Sequence, residues 1–222
     1  MRNRNLAFLL SLAFPSALPA QQPRDVIQPV QRHSVQWYHA VAALGAISAA
    51  SLLDESLRDH LQAHRTAGKD DVARAFRRMG EPQIYAVVGL GTIATGLVSG
   101  DARITRAGER ITAGLLLAGV TSSALKLATG RRRPGGGTGP YEFHPFSGDD
   151  AWPSGHTTMA FALAAGVSDE LHSTPAAIVL YGAAALTGWS RLNDDRHWLS
   201  DVLAGAAVGV TSAKLMNGHW RG

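Results

Sequence analysis

Six apolar stretches, residues 37–53, 84–99, 111–129, 156–167, 176–189 and 202–216, alternate along the chain with short polar joints. Each is long enough for an α-helix, and strand-type alternation and β-branched runs are scarce. The joints carry breakers: Gly80-Glu81-Pro82, Gly100-Asp101, the glycine-rich residues 130–139, and Thr174-Pro175. The pattern predicts an all-α bundle of six helices. A polar, charged insert over residues 54–78 separates the first two. Leu53 at its edge, Leu57 and Leu61 recur at a helical interval, which predicts one or two amphipathic surface helices there.

Ahead of the first helix the pattern changes. Arg2 and Arg4 precede a short apolar core at residues 6–14 and a small-residue, proline-bearing segment at residues 15–20. This predicts a secretory signal peptide over residues 1–20, a polar exported linker over 21–35 and a single helical domain over 36–222. The expected location is the cell envelope. The apolar stretches fall short of the ~20 residues usual for a span and are rich in alanine and glycine, which suits close helix packing. A membrane-embedded bundle and a periplasmic one both fit. Six spans after a cleaved signal would turn residues 130–153 and the 194–197 turn toward the cytoplasm, with the positive residues of 58–78. A bundle that does not fully span avoids that conflict, and the expected orientation has the site facing the periplasm.

Charge and composition remove several classes. The net charge is +4 and gathers around residues 65–78 and 103–133. There is no zinc-finger spacing, no basic base-reading helix and no aromatic stacking platform, so no nucleic-acid partner is expected. The chain has no cysteine, hence no disulfide and no thiolate metal site. No protein partner is evident.

The candidate chemistry sits in the second half. Residues 190–201 read S-R-L-N-D-D-R-H-W-L-S-D. With a helix from Arg196 onward, His197 and Asp201 lie one turn apart on one face. The carboxylate then takes the hydrogen bond of one ring nitrogen and leaves the other as base or nucleophile. Arg191 is a candidate anion clamp. By itself this stretch also fits a solvated helix start. Pro153-Ser154-Gly155-His156 opens an apolar helix, with Ser154 as N-cap and Gly155 allowing close approach to an anion at the helix end. Lys126, near the end of an apolar helix, also fits plain snorkelling to water. It is followed by Arg131, Arg132 and Arg133-Pro134, where Pro134 holds Arg133 extended. Of this run, Arg133 is the expected anion ligand, and Arg131 and Arg132 are expected at the surface or rim. Residues 135–139 lack the lysine of a phosphate-binding loop and read as a flexible loop; with Tyr141, Phe143, His144 and Phe146 they suit a lid or substrate mouth. Asp149 and Asp150 are expected in a solvated loop, and Asp194, Asp195 and Arg196 as cap and surface residues. His33, His39, His60, His64, His172 and His219 are expected at the surface or an interface.

Together, Lys126, Arg133-Pro134, Pro153-Ser154-Gly155-His156, Ser190-Arg191, His197 and Asp201 resemble the signature of the type 2 phosphatidic acid phosphatase superfamily, which also includes bacterial non-specific acid phosphatases and vanadium haloperoxidases. Order and spacing match throughout, over about the second half of the chain. The resemblance implies a six-helix bundle of the acid phosphatase/haloperoxidase type and a metal-independent phosphatase. His197 would form a phosphohistidine, with Asp201 orienting it and His156 protonating the leaving oxygen and then activating water. Lys126, Arg133, Ser154, Gly155 and Arg191 would bind the phosphate. It further implies a phosphorylated lipid or small phosphoester as substrate, membrane association and no cofactor. Vanadate would enter only under the haloperoxidase alternative, with His197 as its ligand; the short chain and complete phosphatase motif weigh against that. The complete motifs also weigh against a non-enzymatic envelope protein.

Overall fold

The computed structural model describes residues 36–137 and 139–218, so the expected signal peptide and linker at residues 1–35 lie outside the described residues. Among the described residues the six apolar stretches become α1 (Trp37–Ser51), α4 (Pro82–Ser99), α5 (Ala102–Thr129), α6 (Gly155–Leu171), α7 (Thr174–Asn193) and α8 (Leu199–Met216). The insert adds α2 (Asp54–Ala63) and α3 (Ala67–Met79), so the α-helices number eight rather than six. The all-α class stands; one 3₁₀ turn at Pro134–Gly136 and one isolated antiparallel bridge between Arg131 and Phe143 complete the described backbone.

The helix limits follow local chemistry. Pro82 starts α4 at a position that needs no N–H donor, and Gly100 ends it in the left-handed region at φ 70°. Asp101 then caps α5, its Oδ1 accepting from the N–H groups of Arg103 at 2.8 Å and Ile104 at 3.4 Å. That cap starts α5 nine residues before the apolar stretch does. The charged first turns are held by partners elsewhere, as where Arg110 makes a two-pronged pair with Glu170, both bonds 2.7 Å.

Small residues let the helices approach closely. A Cβ at Gly209 of α8 would lie 2.2 Å from the carbonyl oxygen of Thr158 on α6. Buried Ala160, Ala162, Ala164, Ala204 and Ala213 extend this alanine-lined core. Many large apolar side chains instead point outward: Val87, Leu97, Val98, Leu116 and Val120 are exposed, while Tyr85, Ile111 and Leu115 are buried. Helices α4, α5 and α8 are long and apolar enough to cross a membrane, and α1 with α2, bent by 56°, would be a fourth such element as one broken span. Bare apolar faces on helices of this length belong in lipid, which decides for a membrane protein over a soluble bundle.

The insert is tied to the α7–α8 loop. Arg58 holds both carboxylate oxygens of Asp195 at 2.8 Å, Arg77 reaches Asp194 at 3.0 Å, Gln62 donates to the Leu192 carbonyl at 3.1 Å, and Asn193 donates to Asp70 at 2.8 Å. Asp194 and Asp195, expected as cap and surface residues, are thus pinned from α2 and α3. These bonds fix the loop that leads into His197.

Candidate active site

Three chain segments meet at one end of the bundle: the end of α5, the start of α6 and the α7–α8 loop. Helix α5 stops at Gly130, whose φ is 52° and whose N–H donates to the Lys126 carbonyl at 2.8 Å. Only glycine fits: a Cβ there would lie 1.7 Å from the His144 carbonyl oxygen. The chain leaves this turn extended, so successive arginines point to opposite sides. Arg131 is buried, Arg132 is exposed and Arg133 is partly buried. Arg133 grips Asp150 with Nε–Oδ1 at 2.8 Å and Nη2–Oδ2 at 2.7 Å, and Lys126 Nζ donates to the Asp150 backbone carbonyl. Asp150 therefore belongs to the site rather than to a solvated loop. Burial pushes its carboxyl up, but the Arg133 bonds and the Lys126 charge outweigh that and hold it below the usual range.

At the start of α6, Ser154 is fully buried and stands at the N-cap position. Its side chain makes no capping bond, contrary to expectation; its Oγ instead accepts from the Thr157 hydroxyl at 2.9 Å, and its N–H donates to the Asp201 carbonyl at 3.0 Å. A Cβ on Gly155 would face Cε of Lys126 at 3.6 Å, so a longer side chain there would crowd the lysine. His156 is half-buried, and its ring is pushed down to about 4 by burial, then by Arg191, His197, Arg133 and Lys126.

On the third segment, Arg191 is buried beside Asp194, Nη1 to Oδ2 at 3.1 Å, while its buried Nε has no hydrogen-bond partner among the described residues. His197 precedes α8 instead of lying on it, because the helix begins at Leu199 and Trp198 is extended. The expected helical-face geometry is thereby corrected. Nδ1 of His197 lies 2.8 Å from the Ala151 carbonyl oxygen and 3.4 Å from Oδ2 of Asp201. A carbonyl can only accept, so the Nδ1 proton is held there and the lone pair is on Nε2. The ring is kept well below the usual histidine range by burial, then by the charges of Lys126, Arg133 and Arg191.

Behind this cluster is Arg131, which was expected at the surface. It is 2 % exposed and pairs with Asp201 at 2.6 Å and Asp54 at 2.8 Å. The rings of Phe143 and Trp198 lie 5.3 and 5.8 Å from its guanidinium carbon. The sequence reading thus missed Asp54, Arg131, Asp150 and the Ala151 carbonyl. Alternation about an exposed Arg132 was the one available signal for Arg131; a backbone carbonyl leaves none. Lys126, Arg133, Ser154, Gly155, His156, Arg191, His197 and Asp201 all belong to the three converging segments.

A family model described as the PAP2 superfamily matches residues 110–220, half of the 222-residue chain. The chain belongs to the PAP2 superfamily. The matched segment holds every motif residue and omits α1 to α4. The chain is 38% identical over 109 residues to a lipid A 1-phosphatase of Porphyromonas gingivalis, an overlap of 48% of this chain but only 22% of that protein's length. Two solved PAP2-like folds are similar at 20% identity. The crystal structure of Aquifex aeolicus LpxE has a TM-score of 0.59 and covers 75% of this chain and 95% of its own. That of a transmembrane PAP2 type phosphatidylglycerolphosphate phosphatase from Bacillus subtilis has a TM-score of 0.62, with 82% and 95% covered.

Proposed function

We propose that this PAP2 protein is a metal-independent phosphatase of lipid phosphates that works through a phosphohistidine. The observation that carries the reading is the His197 ring bonded through Nδ1 to the Ala151 carbonyl and set among Lys126, Arg133 and Arg191, whose charges with burial hold it below the usual histidine range. Nε2 of His197 attacks phosphorus, and the bond to the leaving oxygen breaks in line. The three cations, the buried Ser154 hydroxyl and the N–H groups at the start of α6 hold the equatorial oxygens. Arg191 Nε, buried and without a partner among the described residues, gains an acceptor in the phosphate. The bound phosphate offsets the cations around His156 and raises its ring, so that it takes up a proton, gives it to the leaving oxygen and then takes one from the water that cleaves the phosphohistidine. Asp201 stabilises the charge that develops on His197.

A lipid substrate is supported by an apolar groove of about 360 Å³ between α1, α5 and α8, lined among others by Leu44, Ile47, Leu125, Trp152, Ala207 and Val208. Trp152 and Leu125 adjoin the Pro153–Ser154 turn and Lys126, so the groove begins beside the phosphate site. We propose that the site faces the periplasm, which after an exported N-terminus requires a bundle that does not fully span; hydrolysis of a membrane-impermeant phosphoester by intact cells tests this. Phosphate release in excess EDTA, wild type beside His197→Ala, tests the reaction itself, with phosphatidate, an isoprenyl diphosphate and an aryl phosphate as substrates. Release by wild type alone is expected, with a lipid preferred. Preference for the aryl ester would favour a soluble-ester phosphatase. No release, with halide oxidation after vanadate loading, would overturn the phosphatase reading.

A further inference from the structure

Asp54 opens α2, far in sequence from the motifs and outside the segment that the family model matches. It is 1 % exposed and makes three bonds to residues at the site. Its Oδ1 accepts from the Ser200 N–H at 2.9 Å; its Oδ2 accepts from the Ser200 hydroxyl at 2.6 Å and from Arg131 Nη2 at 2.8 Å. Arg131 Nη1 donates in turn to Asp201 Oδ1 at 2.6 Å. The remaining Asp201 oxygen accepts from the Trp198 N–H at 2.8 Å and lies 3.4 Å from His197 Nδ1.

Two carboxylates share one guanidinium in a buried network. Desolvating such groups costs several kcal/mol each, so stability by itself is a weak reason to keep them. The arrangement has a directional consequence. Arginine pairs with a single carboxylate through two parallel bonds when it can. Asp54 and the Pro140 carbonyl take up Nη2, so Asp201 meets Nη1 only, which it shares with the Ser200 hydroxyl, and its second oxygen stays turned to Trp198 and His197. Asp54 also caps the first turn of α8 from a separate helix, which fixes the backbone that carries Asp201.

We propose that Asp54 is a positioning residue of the site, acting on His197 through Arg131 and Asp201. The turnover arm of its test rests on the phosphatase reading. Asp54→Asn keeps the shape and removes the charge. With the aryl phosphate, kcat should fall by about tenfold to a hundredfold while KM stays within about threefold, as for partners that orient a reacting group from behind. Asp54→Asn with Asp201→Asn should be no slower than Asp201→Asn alone; additive losses would overturn the proposal. A second arm needs no turnover. Vanadate, a mimic of the phosphoryl transition state, should bind about tenfold or more weaker to Asp54→Asn, while sulfate, a ground-state mimic, binds as to wild type. Equal loss of both anions, or of neither, would overturn the proposal even if no phosphoester is ever hydrolysed. Should Asp54→Asn fail to fold, Ser200→Ala removes the hydroxyl bridge and leaves both charges; a smaller fall in vanadate affinity alone is expected, and none would count against the network.

Discussion

His197 leans on Ala151 more closely than on Asp201: Nδ1 is 2.8 Å from the carbonyl oxygen and 3.4 Å from the carboxylate. The tautomer is therefore set by a backbone group that no side-chain substitution removes. Where a carboxylate alone sets the tautomer of a catalytic histidine, its amide variant loses roughly 10⁴-fold in kcat. Here Asp201→Asn is expected to lose far less, on the order of 10²-fold in kcat with little change in KM, because charge is removed and the tautomer is kept. Steady-state kinetics on the aryl phosphate decides; a loss near 10⁴ would mean that Asp201 sets the tautomer after all.

Asp150 occupies Nε and Nη2 of Arg133, which leaves the Nη1 side of the fork for a phosphate oxygen. Freed of that partner, Arg133 regains rotamer freedom that substrate must remove. Asp150→Asn should raise KM about threefold to tenfold and weaken competitive inhibition by inorganic phosphate equally, with kcat less affected. Tighter phosphate binding in the variant would show that Asp150 only screens the cations.

Arg131 and Arg132 are neighbours with opposite prospects. Arg132 is half-exposed and its partners Glu142 and Asp149 lie at 3.3 and 3.6 Å, so Arg132→Ala should shift stability by no more than about 0.5 kcal/mol and activity hardly at all. Arg131→Ala strands Asp54 and Asp201 in the interior, a loss of about 3–5 kcal/mol. Unfolding in detergent measures both. A stable, active Arg131→Ala would remove the buried network from the account.

Both site histidines are held below the ordinary 6.5, His156 at about 4. The unfolded chain therefore takes up protons that the folded chain refuses, and stability should fall as pH drops from 6.5 toward 4. A bound oxyanion cancels part of the cationic field and raises both rings, so its binding takes up protons and tightens as pH falls. Sulfate keeps its charge over this range, which isolates the protein's contribution. Calorimetry should find sulfate binding tighter at about pH 5.5 than at about pH 7.5, less so in His156→Gln. Flat or weakening affinity would mean that the anion does not face these rings.

Ala207 lines the apolar groove beside α1 and α5. Ala207→Trp should fill it, lowering kcat/KM on phosphatidate by about tenfold while sparing the aryl phosphate. Equal effects on both substrates would detach the groove from substrate binding.

The chain order of apolar and polar residues carried the helical class, because burial periodicity is a local property that each stretch displays for itself. It carried the six apolar helices nearly to their ends, and the amphipathic insert through Leu53, Leu57 and Leu61. The motif residues were legible by type and spacing. The length of α5 was not, since its first turns are charged and are stabilised by the Asp101 cap and by Glu170 from α6.

What the tertiary structure decided is which polar groups face inward and whom they meet. Three consecutive arginines are alike in composition; the left-handed turn at Gly130 and the bridge to Phe143 bury Arg131, expose Arg132 and hand Arg133 to Asp150. Asp54 lies 77 residues from Arg131 and 146 from Ser200, and no local pattern marks it as their partner. Nor does any residue identity mark the Ala151 carbonyl that holds the His197 proton. A buried charge is kept only where partners from several elements converge on it, and that convergence exists once the helices have packed.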